Sequence, residues 1–320
     1  MRLVLLFLAV SAACFGARKK RDPMTIDPWF TGPILAPSGH VVEGPHTNWE
    51  PYIFVTDNIG IYNHKGRHVG GHQNTTVNPL LSLSQGLTKW MDLQVIPQLI
   101  YNTKGDQSSW NVGDFTAYLG FQIMSEKPGS WTPDCRFTLD FTFPTGKFKN
   151  LNPDKLGTDS TGAGSVQLGL GPNFQKMWRI FGGHPFRVRL SVLGTFPIDC
   201  TVKGFNSYGG GFGTSGKLHL GNRLNTILAF EYMFSQHWNL AVDFEWIMSA
   251  ATTFTGFAGR KADGTPATVG AAPYYQFSIA PGIEYNFNSS LGILLGAWFS
   301  ASGQDTLDFT SGVLAVNYYH

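Results

Sequence analysis

From Trp49 to His320 the chain repeats one unit about twelve times: a short stretch alternating apolar and polar residues, then a turn. The clearest case runs from Cys135 to Phe143. Cys135, Phe137, Leu139, Phe141 and Phe143 fall on one side, and Arg136, Thr138, Asp140 and Thr142 on the other. A strand sends successive side chains to opposite faces, so a period of two gives each strand one apolar and one polar face. No apolar run after the first twenty residues reaches the length of about 18 that a helical membrane span needs. Only 14% of the residues are charged, where a soluble domain carries roughly 25%. A soluble sandwich would put more charge on its surface. The pattern predicts an all-β fold, a transmembrane antiparallel β-barrel of about twelve strands with lipid outside and water inside.

The first residues read as an export signal spanning 1–13. Arg2 supplies charge, Leu3 to Val10 an apolar core, and Ser11-Ala12-Ala13 a small-residue cleavage site. Cys14 raises the alternative of a lipoprotein signal, although Ser11 stands where such signals prefer Leu or Val. Arg18-Lys19-Lys20-Arg21 has no assigned role: positive charge there hinders export, and the run also matches a dibasic processing site. Residues 14–47 are a Pro-rich periplasmic segment that either threads the lumen as a plug or lies beneath it as a strap; proline at this density resists a strand ladder. Disorder is the alternative, opposed by Trp29, Phe30, Ile34 and Leu35. Residues 48–320 form the barrel.

The strands are expected near 48–62, 75–88, 91–103, 113–124, 132–143, 164–177, 185–199, 216–234, 237–255, 274–287, 290–302 and 308–320. Short and long connections then alternate, apart from a long turn at 125–131 and a short outer loop at 303–307, as a bacterial barrel with both ends in the periplasm requires. The first, second and eleventh strands alternate poorly. Trp49, Trp90, Trp131, Trp178 and Trp238 all fall at the short-turn end, where indole rings form a membrane-interface girdle. Tyr318 and His320 stand where outer-membrane barrels carry the aromatic signal read by the assembly machinery, with His320 a departure from the usual Phe. Cys135 and Cys200 fall at opposite ends and are read as unpaired.

The opening Asp27-Pro28-Trp29-Phe30-Thr31-Gly32-Pro33-Ile34-Leu35-Ala36-Pro37-Ser38-Gly39, followed by Gly44-Pro45-His46 and Trp49-Glu50-Pro51-Tyr52, carries a resemblance. With the barrel pattern after it, the chain resembles a group of bacterial outer-membrane proteins named as transporters of the meta-pathway of phenol degradation. The motif covers about 25 residues; beyond it the resemblance is architectural. It implies passage of small, hydrophobic or aromatic solutes, and it brings no binding residues with it.

By parity the lumen is lined by Arg136, Arg187 and Arg189 on one arc, and by Glu231, Asp243, Glu245 and Glu284 on the next. In a water-filled pore these arcs set a transverse field that orients solutes. The equal alternative is a set of cross-strand ion pairs filling a closed lumen, Arg187 or Arg189 with Glu231 above all. Three readings follow: a channel for small-molecule solutes, a structural or surface-interaction barrel, and a barrel hydrolase. The last rests on Asp199 and His219 at the outer ends of neighbouring strands. His64, His68 and His72 have helical spacing, but Gly66, Gly70 and Gly71 interrupt it and argue for a solvated loop over a metal face. The expected partners are outer-membrane lipid, the assembly machinery and a small solute. A net charge of +2 gives no argument for nucleic acid, and no cofactor or metal is expected.

Overall fold

The computed structural model describes residues 27–127 and 129–320; the export signal, Cys14 and the Arg18–Arg21 run lie outside them. Twelve antiparallel strands close on themselves. They are β1 (Thr47–Tyr62), β2 (Asn74–Gly86), β3 (Met91–Ile96, continuing as Leu99–Lys104), β4 (Gln107–Val112 and Phe115–Met124), β5 (Asp134–Phe143) and β6 (Gln167–Ile180). Then follow β7 (His184–Pro197), β8 (Arg223–Met233), β9 (Trp238–Ser249), β10 (Tyr274–Asn286), β11 (Leu291–Gln304) and β12 (Thr306–Tyr319). Each strand pairs with its sequence neighbours, and β1 pairs with both β2 and β12. At the seam Thr47 and His320 exchange two backbone hydrogen bonds of 2.8 and 2.9 Å. No sheet edge is left at that seam.

Tight turns gather at one end, where Thr88 N–H bonds Met91 and Phe234 N–H bonds Trp238. The other end carries long loops. There Cys200–Lys203, Ser215–His219 and Thr253–Phe257 form a three-stranded ribbon above β7, β8 and β9. Among the described residues no helix is long and apolar enough to cross a membrane, so any crossing is made by strands.

Three features depart from the expected strands. The eighth and ninth, expected at 216–234 and 237–255, are shorter at their outer ends, because Ser215–His219 and Thr253–Phe257 leave the wall for the ribbon. The connection expected at 104–112 is instead a hairpin, Leu99–Lys104 paired with Gln107–Val112 across a two-residue turn. Gly105 takes the left-handed conformation that this turn requires (φ 56°). Pro97 allows the break, since proline offers no N–H to the ladder. The sixth strand lies about three residues further toward the tight-turn end than expected, so Trp178 sits within β6.

Alternation along the wall follows the predicted parity. Leu190, Phe196, Leu224, Leu240, Met248, Tyr275 and Leu295 face outward and are exposed, while Ser84, Thr138, Ser191, Glu231 and Ser278 are buried inside. Two of the three strands that alternate poorly, the first and the eleventh, have a local cause. Tyr52 and Phe54 on β1, and Leu294 and Trp298 on β11, pack with Ile34 and Leu35 from the segment ahead of the barrel. Their inner faces are apolar because something apolar rests on them.

Candidate lumen site

Residues 29–42 run inside the wall, and several of their backbone polar groups are satisfied by inward side chains rather than by a ladder. This arrangement follows from the sequence, because proline prevents regular pairing while any buried N–H must still find an acceptor. Asp243 on β9 accepts from Ile34 N–H (2.9 Å), Leu35 N–H (3.3 Å) and Ala36 N–H (3.0 Å). Glu284 on β10 accepts from Thr31 N–H (2.8 Å) and from the Asn239 amide (2.8 Å). Gln122 accepts from Val41 N–H, and Asp92 from Val42 N–H. Asn239 donates to the Trp29 carbonyl, and Arg189 to the Ala36 carbonyl at 2.9 Å. Ile34 rests over Gly296 on β11, where a Cβ would overlap the isoleucine side chain. A glycine there is a requirement of the fit.

The basic residues on β5 and β7 and the acidic residues on β8 to β10 meet where β7 adjoins β8. Arg187 holds Glu231 with two parallel bonds, Nε to Oε2 at 2.6 Å and Nη2 to Oε1, and stacks on the Phe30 ring at 4.1 Å. Arg189 Nε lies 3.3 Å from the same carboxylate. Arg136 donates to Asp92 Oδ1 from Nε (3.1 Å) and Nη2 (2.8 Å). This pair spans β4 directly above Gly120, whose missing Cβ leaves the room. Glu245 accepts from Asn225 (3.0 Å) and Ser278 (2.9 Å). Glu231, Asp243 and Glu284 have no solvent exposure. Buried carboxylates of this kind persist because they are paired and hydrogen-bonded.

Sequence reasoning missed Asp92 and Glu50, two inward carboxylates with structural partners. Glu50 accepts from Asn317 (2.7 Å) and Ser82 (3.1 Å). The signal for Asp92 was available. Asp92, Gly120 and Thr138 form one cross-strand row, two residues from Arg136.

Alongside Phe30–Val42 a cavity of about 640 Å³ opens in the lumen, lined by Tyr52, Tyr118, Asp140, Asn173 and Ser191 among others. Nearer the tight turns, His40 stands 3.6 Å from both Asp134 and Glu43. The Asp134 carboxylate raises the His40 pKa above its usual 6.5, outweighing the lowering effect of its partial burial.

Trp49, Trp90, Trp131, Trp178 and Trp238 all lie toward the tight-turn end, with Trp131 85% exposed and edge-on to Trp178. Tyr318 is exposed and stacks on His320 at the seam. The three loop histidines turn to different carboxylates, His64 to Asp305 (2.8 Å), His68 to Asp308 (2.6 Å) and His72 to Asp57 (3.8 Å). His219 and Asp199 do meet, at 2.9 Å, but Lys217 shares the same Asp199 oxygen at 2.9 Å. That lysine contact, first, and His219 hold the Asp199 pKa below its usual value. Cys135 and Cys200 are both free.

No family model matches the chain, and no curated protein sequence does. Among solved structures, an outer membrane channel from Pseudomonas putida F1 superimposes with a TM-score of 0.66 at 16% identity, covering 90% of this chain and 100% of that one. At that identity the likeness shows the fold. A TodX monoaromatic hydrocarbon channel mutant (TM-score 0.45, 13% identity, 87% and 91% covered) and the NanC porin (0.39, 11%, 83% and 98%) are more distant, and no argument rests on them.

Proposed function

We propose that the protein is an outer-membrane channel for small solutes, with its Pro-rich segment 27–46 acting as a fixed constriction inside the lumen. The observation that carries this reading is the cavity beside that segment: a closed barrel with an apolar exterior holds a roughly 640 Å³ space lined by polar and apolar side chains together. A barrel with no transport role has no need to keep such a space open, since its interior fills with side chains at lower cost. The tight-turn end faces the periplasm, Trp49, Trp90, Trp131, Trp178 and Trp238 anchor it at the headgroups, and Tyr318 with His320 is presented to the assembly machinery.

The occluded structural barrel is favoured by one observation, the Arg187–Arg189–Glu231 and Arg136–Asp92 pairs that engage the three lumen arginines. Single-channel recording of the refolded protein separates the two readings. The channel reading expects discrete, salt-dependent currents. A correctly folded barrel that passes no ions would defeat it. The hydrolase reading gains little from an exposed Asp199 already shared with Lys217.

A further inference from the structure

Among the carboxylates that line the cavity, one opens on it without a cationic partner. Asp92 is held by Arg136, and Arg187 and Arg189 are both committed to Glu231. Asp140 is 5% exposed, takes a hydrogen bond from Thr138 and has the Arg136 charge beside it. Glu50 on β1 differs. It lines the cavity, is only half-buried, and accepts from two neutral donors, Asn317 Nδ2 at 2.7 Å and Ser82 Oγ at 3.1 Å. Hydrogen bonds of this kind favour the ionised carboxylate. No Lys, Arg or His among the described residues forms an ion pair with it. Arg189 acts on it from further away and is already held by Glu231.

Glu50 belongs to a polar belt across four strands. Gln94 on β3 donates to Ser82 on β2 at 2.8 Å, Ser82 donates to Glu50, and Asn317 on β12 closes the row from the other side. The belt lies at the tight-turn end, since Thr47 at the start of the same strand bonds His320 across the seam. Ser289 and Tyr319, at that end too, also line the cavity. Next above the belt, Tyr52 and Leu80 face each other across β1 and β2 and give the cavity an apolar collar. Walls of low polarity focus the field of a charge along a narrow passage.

We infer that Glu50 is the residue that sorts solutes by charge, passing cations and neutral molecules through the tight-turn exit of the cavity and turning anions back. The three lumen arginines contribute little to this sorting, because each shares its charge with a carboxylate at close range. The role presupposes the channel, and it adds to the channel a preference in charge that the paired residues alone do not supply.

Reversal potentials of the refolded protein in a potassium chloride gradient read the sorting directly. The wild type should favour potassium over chloride by roughly 5-fold or more, the factor for a unit charge about 4 Å from a passing ion in water. The preference should shrink between about 0.1 and 1 M salt, as screening shortens the reach of the charge. Glu50→Gln should bring the ratio near unity, Glu50→Asp should keep most of it, and Asn317→Ala, which removes a bond but leaves the charge, should keep it as well. Should Glu50→Gln not assemble, Asn317→Lys sets an ammonium against the glutamate and should remove the preference equally. A wild type that conducts without cation preference, or a preference unchanged in Glu50→Gln (in Asn317→Lys where the first variant does not assemble), would overturn the assignment and leave the channel standing. A folded barrel that carries no current would overturn both.

Discussion

Asp243→Ala tests whether the lumen segment is held as the geometry requires. The carboxylate accepts three consecutive backbone N–H groups, at 2.9, 3.3 and 3.0 Å, in a position with no solvent exposure. Alanine leaves all three without an acceptor. At about 1–3 kcal/mol for each of the two shorter bonds, and less for Leu35, the docked state loses roughly 3–6 kcal/mol. Removing a buried charge returns part of that cost, which places the expectation toward the lower end. At about 1.4 kcal/mol per decade, docking still weakens by roughly a hundredfold or more. Asp243→Asn keeps one oxygen but turns an NH₂ toward a donor, and should cost about 1–3 kcal/mol. The wall itself is untouched, so heat-modifiable gel mobility should persist. Single-channel conductance should rise in the order wild type, Asn, Ala, and the amides of Ile34 and Ala36 should lose protection from hydrogen exchange. Unchanged conductance together with unchanged protection in Asp243→Ala would refute the reasoning.

Glu231→Gln strands two buried guanidinium groups, and loss of one partner of such a pair costs about 3–5 kcal/mol; assembled barrel yield should fall, and a wild-type yield would contradict the pairing. Gly120→Ala forces Arg136 off Asp92 and should cost a similar amount, read as lowered urea resistance of the refolded protein. His40 has a raised pKa, so its contribution is complete below about pH 6.5 and is lost as pH rises through the raised value. Exchange protection of Val41 and Val42 should therefore decline modestly toward pH 8, in keeping with a half-exposed pair, and Asp134→Asn should flatten that dependence. In a background with Cys135 and Cys200 replaced by Ser, an impermeant thiol reagent on intact cells should label Lys261→Cys and spare Ser289→Cys; the reverse pattern would invert the orientation.

The wall was legible because each β-strand writes its facing into the sequence with period two, and the C-terminal half, from His184 to Asn286, does so with few exceptions. The inward position of Arg187, Arg189 and Glu231 followed from parity, and their pairing from the adjacency of β7 and β8. What parity could not supply was the content of the lumen. Ile34 selects Gly296 and Leu294 across more than 250 residues of sequence, and such a match leaves no periodic trace. The same contact spoiled the alternation of β1 and β11, since an inner face that receives an isoleucine becomes apolar. The Arg136–Asp92 pair escaped notice for a related reason: its partners sit two strands apart, and only the glycine between them marks the crossing.

The lumen segment is made before the wall that holds it. Its acceptors on β9 and β10 lie 207 to 255 residues later in the chain, and the closing partner of β1 is β12. Contacts of such separation form late, because the intervening chain must first be organised. The earliest-synthesised part of the barrel is therefore among the last to settle. Its docking reports that β9 and β10 have been laid down in register: a strand slipped by one residue would turn Asp243 and Glu284 outward and leave the segment nothing to hold. Register in β9 and β10 and docking of the segment are thus coupled, each complete only when the other is.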